Sequence, residues 1–352
     1  VLTGPNGAGK TNLLEAISFL APGRGLRRAT LIEVRRRQAA ADALWGVAAE
    51  IETPAGTVAI GTGLEAAEAA APRRAIRIDG KPAESQAALG AHVALTWLTP
   101  QQDRLFIEGS GNRRRFLDRL VFAFHADHAS HLSAYEAAMR DRARLLKEGR
   151  ADAGWLSALE ETMAENAVAV AAARREVVER LRAADSVARF GGDDGLFPRA
   201  DLTLAGTVED WLAEAPALSV EDRFRERLAG SRRLDAATGG AAEGPHKTDL
   251  AARHAAKDMP APACSTGEQK ALLIGIVLAH ARLLAAERGA APVLLLDEVA
   301  AHLDSRRRAA LFEEIVALGA QAWLTGTDPE LFAALGARAR HFAVDNARIN
   351  DR

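Results

Sequence analysis

Residues 4–11 read Gly4-Pro5-Asn6-Gly7-Ala8-Gly9-Lys10-Thr11, the G-x-x-x-x-G-K-[ST] spacing of a phosphate-cradling P-loop. The pattern restricts the fold, because it works only where a buried strand turns directly into a helix. Its glycines let the backbone curl so that successive N–H groups face a β-phosphate. Lys10 is placed to reach the β and γ oxygens, and the Thr11 hydroxyl to ligate Mg²⁺. A helix is expected from Thr11 to about Leu20, with its positive dipole end toward the phosphates. Such a loop normally follows a strand of about five or six residues. Only Val1-Leu2-Thr3 precede Gly4, so the chain reads as trimmed at its N-terminus.

The remaining sequence has α/β character at both ends and a helical middle. Leu44 to Ile51, Val58 to Gly63, Ala75 to Ile78 and Val93 to Leu98 read as strands, the first two separated by Pro54-Ala55-Gly56. From Asn112, read as an N-cap, the period turns helical through Phe116, Leu120, Tyr135 and Leu146 to Gly149. A second helix is expected from Trp155 to about Ala184, and the two suit an antiparallel hairpin broken by Gly191-Gly192-Asp193-Asp194. A short strand at Asp201–Leu204, a helix at Val220–Leu228 and the loop Thr238 to Ala242 follow. The C-terminal third alternates: helix Ser265 to Arg288, buried strand Pro292–Leu296, helix Arg306–Leu318, strand Ala322–Thr325, helix Pro329–Leu335. The fold class expected is α/β, with a nucleotide-binding head formed by 1–117 and 237–352 and an inserted, mainly helical lobe at 118–236.

With 352 residues and 48% hydrophobic but only 5% aromatic content, the core must be mostly Leu, Val and Ala. No run of 18 or more apolar residues and no signal-peptide pattern occurs, so a cytoplasmic protein with no membrane partner is expected. The lone Cys264 excludes an internal disulfide and reads as a small buried hydrophobe. A net charge of −2 provides no global field for nucleic acid, so any such binding must be local. Arginines do cluster at Arg35-Arg36-Arg37, Arg113-Arg114-Arg115, Arg174-Arg175, Arg232-Arg233 and Arg306-Arg307-Arg308, with Arg24, Arg27 and Arg28 besides. Each cluster suits a solvated helix face or a phosphate clamp.

The strand Val293 to Leu296 ends in Asp297-Glu298. Beside a P-loop, this is where Mg²⁺ is held (Asp297) and where a carboxylate can orient or deprotonate an attacking water (Glu298), with Lys10 as the third catalytic candidate. Ser265-Thr266-Gly267-Glu268-Gln269 opens the apolar helix. It reads both as a capping box, Glu268 reaching back to Ser265, and as a signature presenting Ser265 and backbone N–H groups to a phosphate. The order P-loop, signature, Asp-Glu strand and Leu303-Asp304 turn resembles that of ABC-type ATPases.

Closer still, the chain resembles the RecF family, recombination mediators grouped with the heads of structural-maintenance-of-chromosomes ATPases. The stretches that carry this are Gly4 to Ile17, Arg113-Arg114-Arg115-Phe116-Leu117-Asp118, Gly244-Pro245-His246-Lys247-Thr248-Asp249-Leu250 and Ser265 to Lys270. Glu268 stands where the family signature has Gln, Lys247 where its Gly-Pro-His run continues with Arg, and Thr327 where transporter ATPases carry a switch His. Thr327 offers only a hydroxyl for phosphate sensing. Gln101 and Gln102 both remain open as the Q-loop glutamine. The resemblance implies that Gly4 to Thr11, Asp304 and Thr327 bind ATP, with Mg²⁺ on Thr11 and Asp297. It further implies that Ser265, Gly267 and Gln269 of a second copy complete each site in an ATP-dependent homodimer. The activity implied is slow, DNA-stimulated ATP hydrolysis that resets a clamp on duplex DNA near single-strand gaps and junctions. The implied partners are RecR and, through it, RecO, leading to RecA loading in recombinational repair and the SOS response. A transporter ATPase subunit and a chromosome-organising ATPase are the alternatives. The first would want the missing His, and the second arms far longer than the inserted block.

Overall fold

The structure is a computed structural model describing residues 1–36, 39–40, 42–65, 73–149, 152–187 and 196–351; Arg37 and the Gly191–Asp194 break lie outside these. The chain divides into two compact units. The first comprises Val1–Asp103, Val187–Arg199 and Ser265–Arg352, and the second Arg104–Ser186 and Ala200–Cys264.

In chain order the first unit opens with β1 (Leu2–Thr3), α1 (Lys10–Ser18), β2 (Gly46–Thr53), β3 (Gly56–Glu65), β4 (Arg73–Ile78), β5 (Lys81–Pro82) and β6 (Leu95–Leu98). The second unit holds α2 (Ser110–Phe122), α3 (His128–Glu148), α4 (Ala153–Val187, its last residue counted with the first unit), β7 (Ala200–Ala205), α5 (Thr207–Glu214), α6 (Ala217–Thr238), β8 (Asp249–His254) and β9 (Met259–Pro260). The chain then returns to the first unit with α7 (Thr266–Arg288), β10 (Val293–Leu296), α8 (Ser305–Leu318), β11 (Ala322–Gly326), β12 (Phe342–Asp345) and β13 (Arg348–Asp351).

Among the described residues, the first unit contains a sheet in the order β13-β12-β1-β11-β10-β6, parallel throughout except for the antiparallel edge hairpin β12–β13. The near-continuous apolar run Val293-Leu294-Leu295-Leu296 is what a strand paired on both edges and covered on both faces requires. The alternating β2 and β3 instead form an antiparallel sheet with β4 and β5. Leu2, Leu14, Ile60, Trp97 and Leu295 share one buried cluster, so β1, α1 and both sheets enclose a common core. Full burial of a Leu side chain contributes about 1.5–3 kcal/mol, and Leu2, Leu14 and Leu295 are each 0% exposed. Helix α7 is apolar and long enough to cross a membrane on composition alone, yet 78% of that stretch is buried in the protein, as in a core helix.

The second unit is built on α3, α4 and α6. Arg142 of α3 meets Glu160 of α4 at 2.9 Å, and His131 meets Asn166 at 3.0 Å. Advancing along α3 thus means retreating along α4, the antiparallel hairpin expected from sequence. Tyr135, Met163, Val208, Trp211 and Phe224 form its core.

This division differs from an inserted lobe at 118–236. The second unit begins at Arg104, ends at Cys264 and includes a three-stranded sheet, β7-β8-β9. The cause is a set of long-range ties: Arg113 of α2 grips both carboxylate oxygens of Asp249 at 2.7 and 2.8 Å, and Arg114 donates to the Thr248 carbonyl at 2.8 Å.

Candidate functional site

The P-loop leaves β1 between its two neighbours, with Leu2 opposite Thr325 of β11 on one side and Phe342 of β12 on the other. A side chain at Gly4 would place its Cβ 2.1 Å from the Val344 carbonyl oxygen, so only glycine lets the loop pass β12. The turn of the β12–β13 hairpin backs the loop, with the Ala347 N–H donating to the Ala8 carbonyl at 2.9 Å. Gly9 takes the left-handed conformation (φ 107°) that turns the chain into α1. Helix α1 therefore starts at Lys10 and ends at Ser18, slightly earlier than the expected Thr11 to Leu20. Beyond it, Arg74 of β4 holds the following loop, donating to Gly23 O at 2.7 Å and to Thr62 Oγ1 at 2.8 Å. Burial lowers its guanidinium to about 10.

Lys10 is 5% exposed, and its Nζ donates to the carbonyls of Gly4 at 2.7 Å and Pro5 at 3.0 Å. Both acceptors are neutral carbonyls, which suits a cation kept for an anion in the cradle. Thr11 Oγ1 lies 3.1 and 3.0 Å from the two oxygens of Asp297. Asp297 sits just past the end of β10, and Thr325 just before the end of β11, one strand over. The Thr325 hydroxyl donates to Asp297 Oδ1 at 2.7 Å and accepts the Glu298 N–H at 2.9 Å. Glu298 is held at φ 53°, a left-handed conformation costing a non-glycine residue about 1–2 kcal/mol. Below Thr11 on α1, the buried Glu15 pairs with Arg27 at 3.2 Å, and Arg27 also donates to Asn12 Oδ1 at 2.8 Å. Burial raises the Glu15 carboxyl above its usual range, although Arg27 opposes this.

Lys10, Thr11, Asp297 and Glu298 are thus brought to one end of the parallel sheet, where the P-loop also lies. The remaining candidates are engaged locally. Ser265 caps α7 in a reciprocal capping box: its Oγ accepts the Glu268 N–H at 3.3 Å, while Glu268 Oε2 accepts from Ser265 N and Oγ, both at 2.9 Å. Ser265 and Thr266 are exposed, Gly267 is half-buried and Gln269 is buried. Asp304 caps α8 by accepting the Arg307 N–H at 2.9 Å. Thr327 is exposed just past β11. Of the two glutamines, Gln102 uses its side-chain oxygen to accept the Thr99 N–H at 3.0 Å, whereas Gln101 is exposed.

Thr325 carries no motif of its own in the sequence, where it only ends an apolar strand. The signal needed is the register of β11 against β1 and β10, a long-range property. The Arg-Arg-x-Phe-Leu-Asp and Gly-Pro-His runs meet in the second unit. Asp118 receives Arg174 at 2.8 and 3.0 Å and His128 at 2.9 Å, and Arg174 also donates to the Pro245 carbonyl at 2.6 Å. Arg113, Arg114 and Arg174 are therefore internal ties, neither solvated faces nor phosphate clamps.

Chemically, a hydroxyl and a carboxylate side by side offer the hard oxygen donors suited to Mg²⁺, which is usually held by one or two protein groups plus phosphates and water. The described residues contain no cluster of three His, Cys, Asp or Glu that could hold a metal by itself.

The RecF/RecN/SMC N terminal domain family matches residues 1–349. The chain is 51% identical to the DNA replication and repair protein RecF of Allorhizobium ampelinum over 99% of its length and 92% of that protein. It is 50% identical to the RecF of Mesorhizobium japonicum over 99% of its length and 90% of that protein. The structure of the recombination mediator protein RecF-ATPrS in the RecFOR pathway superposes with a TM-score of 0.84 at 21% identity, covering 99% of this chain and 91% of that one. The fold is the α/β ABC-type ATPase head expected from the order of motifs, and by family match and sequence identity the chain belongs to the RecF family.

Proposed function

We propose that this chain is an ATP-dependent DNA-binding protein of recombinational repair that closes as a homodimer on duplex DNA near single-strand gaps and junctions. The observation that carries the reading is the seating of Thr11 on Asp297 beside the buried Lys10. The RecF structures whose fold this chain shares carry ATP or an ATP analogue, which supports ATP as the nucleotide, and relatives about half identical to it are DNA replication and repair proteins, which supports the repair role. Gly4 to Gly9 and Lys10 cradle its phosphates, Thr11 and Asp297 hold Mg²⁺, and Glu298 orients or deprotonates the attacking water. The metal supplies neutralisation of charge on the phosphate oxygens.

The signature, Ser265 to Gln269, begins a helix whose N-terminus carries exposed donors. In this reading Ser265 and Gly267 of one copy face the nucleotide of the other, the buried Gln269 lies in the same first turn of α7, and Asp304 and Thr327 are near the closed interface. A ligand contacted by both copies only when closed shifts the equilibrium to the dimer, and hydrolysis removes that difference. Turnover is slow and DNA-stimulated because it serves timing. The place of action is the cytoplasm, and the partners proposed are RecR and, through it, RecO, upstream of RecA loading.

The test is retention of gapped duplex DNA with and without ATP at two salt concentrations. Retention should require ATP and fall with salt, at about −0.9 in log K per log salt for each phosphate contact. Lack of retention in every condition contradicts the reading.

A further inference from the structure

Thr325 joins the two acidic residues of the site through one oxygen. Its hydroxyl has a single proton, which goes to Asp297 Oδ1 at 2.7 Å, so the oxygen's lone pair is what accepts the Glu298 N–H at 2.9 Å. The residue is 1% exposed, so water does not compete for either bond. Asp297 in turn carries the Thr11 hydroxyl on its two oxygens at 3.1 and 3.0 Å. The result is a continuous chain from the first turn of α1 to the backbone of Glu298: Thr11, Asp297, Thr325, Glu298 N–H. The last link fixes a peptide in the left-handed conformation, φ 53° at Glu298, that no glycine is there to accommodate.

We infer that Thr325 is a positioning residue that ties the orientation of the metal-side carboxylate, Asp297, to that of the water-activating carboxylate, Glu298. The inference rests on the proposed ATP-binding function and deepens it. Turning Asp297 strains or strengthens the bond to Thr325 Oγ1, and the same oxygen anchors the peptide from which the Glu298 side chain departs. Filling the metal position and aiming Glu298 therefore become one event. Partners of this kind, behind a metal ligand, typically change metal affinity or activity by about 10–100-fold when removed.

The experiment compares the unaltered chain with Thr325→Val, which keeps the shape and removes the hydroxyl, and Thr325→Ser, which keeps the hydroxyl. Mn²⁺ binding is read by electron paramagnetic resonance with a non-hydrolysable ATP analogue, alongside analogue affinity without metal and steady-state turnover. Thr325→Val is expected to weaken Mn²⁺ binding and to lower kcat, each by about 10–100-fold. Analogue affinity without metal should stay within about twofold, because the phosphate cradle lies on other residues. Thr325→Ser should restore both losses to within about threefold, the hydroxyl being the group that acts. If the Val chain does not melt cooperatively, Thr325→Ala carries the same comparison. Unchanged Mn²⁺ binding and kcat in the hydroxyl-free chain, or a Ser chain as impaired as the Val chain, overturns the inference. If the unaltered chain binds neither the analogue nor Mn²⁺ with it, the underlying ATP-binding reading fails and the inference falls with it.

Discussion

Thr11 and Asp297, 286 positions apart in the chain, lie side by side, with the hydroxyl of one 3.0 and 3.1 Å from the carboxylate oxygens of the other. One opens α1 and the other leaves β10; two parallel neighbours, β1 and β10, flank β11 and deliver them to the same end of the sheet. Replacing Asp297 with Asn keeps the shape and removes the charge proposed to attract Mg²⁺. The expected outcome is loss of Mg²⁺-dependent ATP hydrolysis by at least about 100-fold, the upper range for disturbing a metal site, in a protein of near-normal melting temperature. Phosphate release at varied Mg²⁺ checks it.

Lys10→Ala removes a buried cation whose only protein acceptors among the described bonds are the carbonyls of Gly4 and Pro5. Hydrogen bonds to charged groups contribute about 1.5–3 kcal/mol, and about 1.4 kcal/mol is tenfold in affinity. If Lys10 makes two such bonds to phosphate, as proposed, their loss takes ATP binding out of a micromolar titration. Calorimetric titration with ATP measures this directly.

Arg174 is 1% exposed and satisfies the buried Asp118 through two bonds. Removing one member of such a pair costs about 3–5 kcal/mol, so Arg174→Ala should lower the urea midpoint of the unfolding step that involves the second unit. Arg175, half-buried and paired with the exposed Glu179 at 3.5 Å, is the control: its replacement by Ala should change the unfolding free energy of the same step by less than about 0.5 kcal/mol.

How legible the molecule is in its sequence follows from the range of the forces involved. The P-loop and the capping box at Ser265 are local arrangements, fixed by residues within a turn of each other, and both stand where the sequence places them, whereas the side-chain cap that Asp304 gives α8 is a structural finding. Asp297-Glu298 is readable because a buried apolar strand leads straight into it. By contrast, Arg113 and Arg174 look like members of basic runs until Asp249 and Asp118, reached only through the fold, are seen to hold them. The edge hairpin β12–β13 also escapes the reading, since its exposed strand is largely polar and its turn is supported by the P-loop it covers. The expected helix at Pro329–Leu335 is instead a tighter 3₁₀ segment running to Arg338, interrupted by Gly336 at φ 50°.

Acid should loosen the second unit. Burial lowers the pKa of His128 and of His246, so in the folded state both bind a proton less readily than in the unfolded chain. The unfolded state then holds more protons below about pH 6.5, and stability falls as pH drops through that value. Asp118 adds to the loss at lower pH: burial alone would raise its carboxyl, but His128 and Arg174 bring it below the usual range, so its contribution disappears as it protonates. Urea midpoints at pH 7.5 and 5.5 should decrease in that order, and His246→Gln, keeping a polar side chain that does not titrate, should flatten the difference.

The central claim is that ATP joins two copies of this chain through the P-loop of one and the signature of the other. Its most direct measurement is the solution mass of the Glu298→Gln chain, which retains the cradle and removes the carboxylate proposed to activate water, by sedimentation velocity with and without ATP and Mg²⁺. Twice the chain mass is expected with ATP, the chain mass without it, and no shift when Lys10→Ala or Ser265→Arg is added. A single-chain mass at saturating ATP would contradict it.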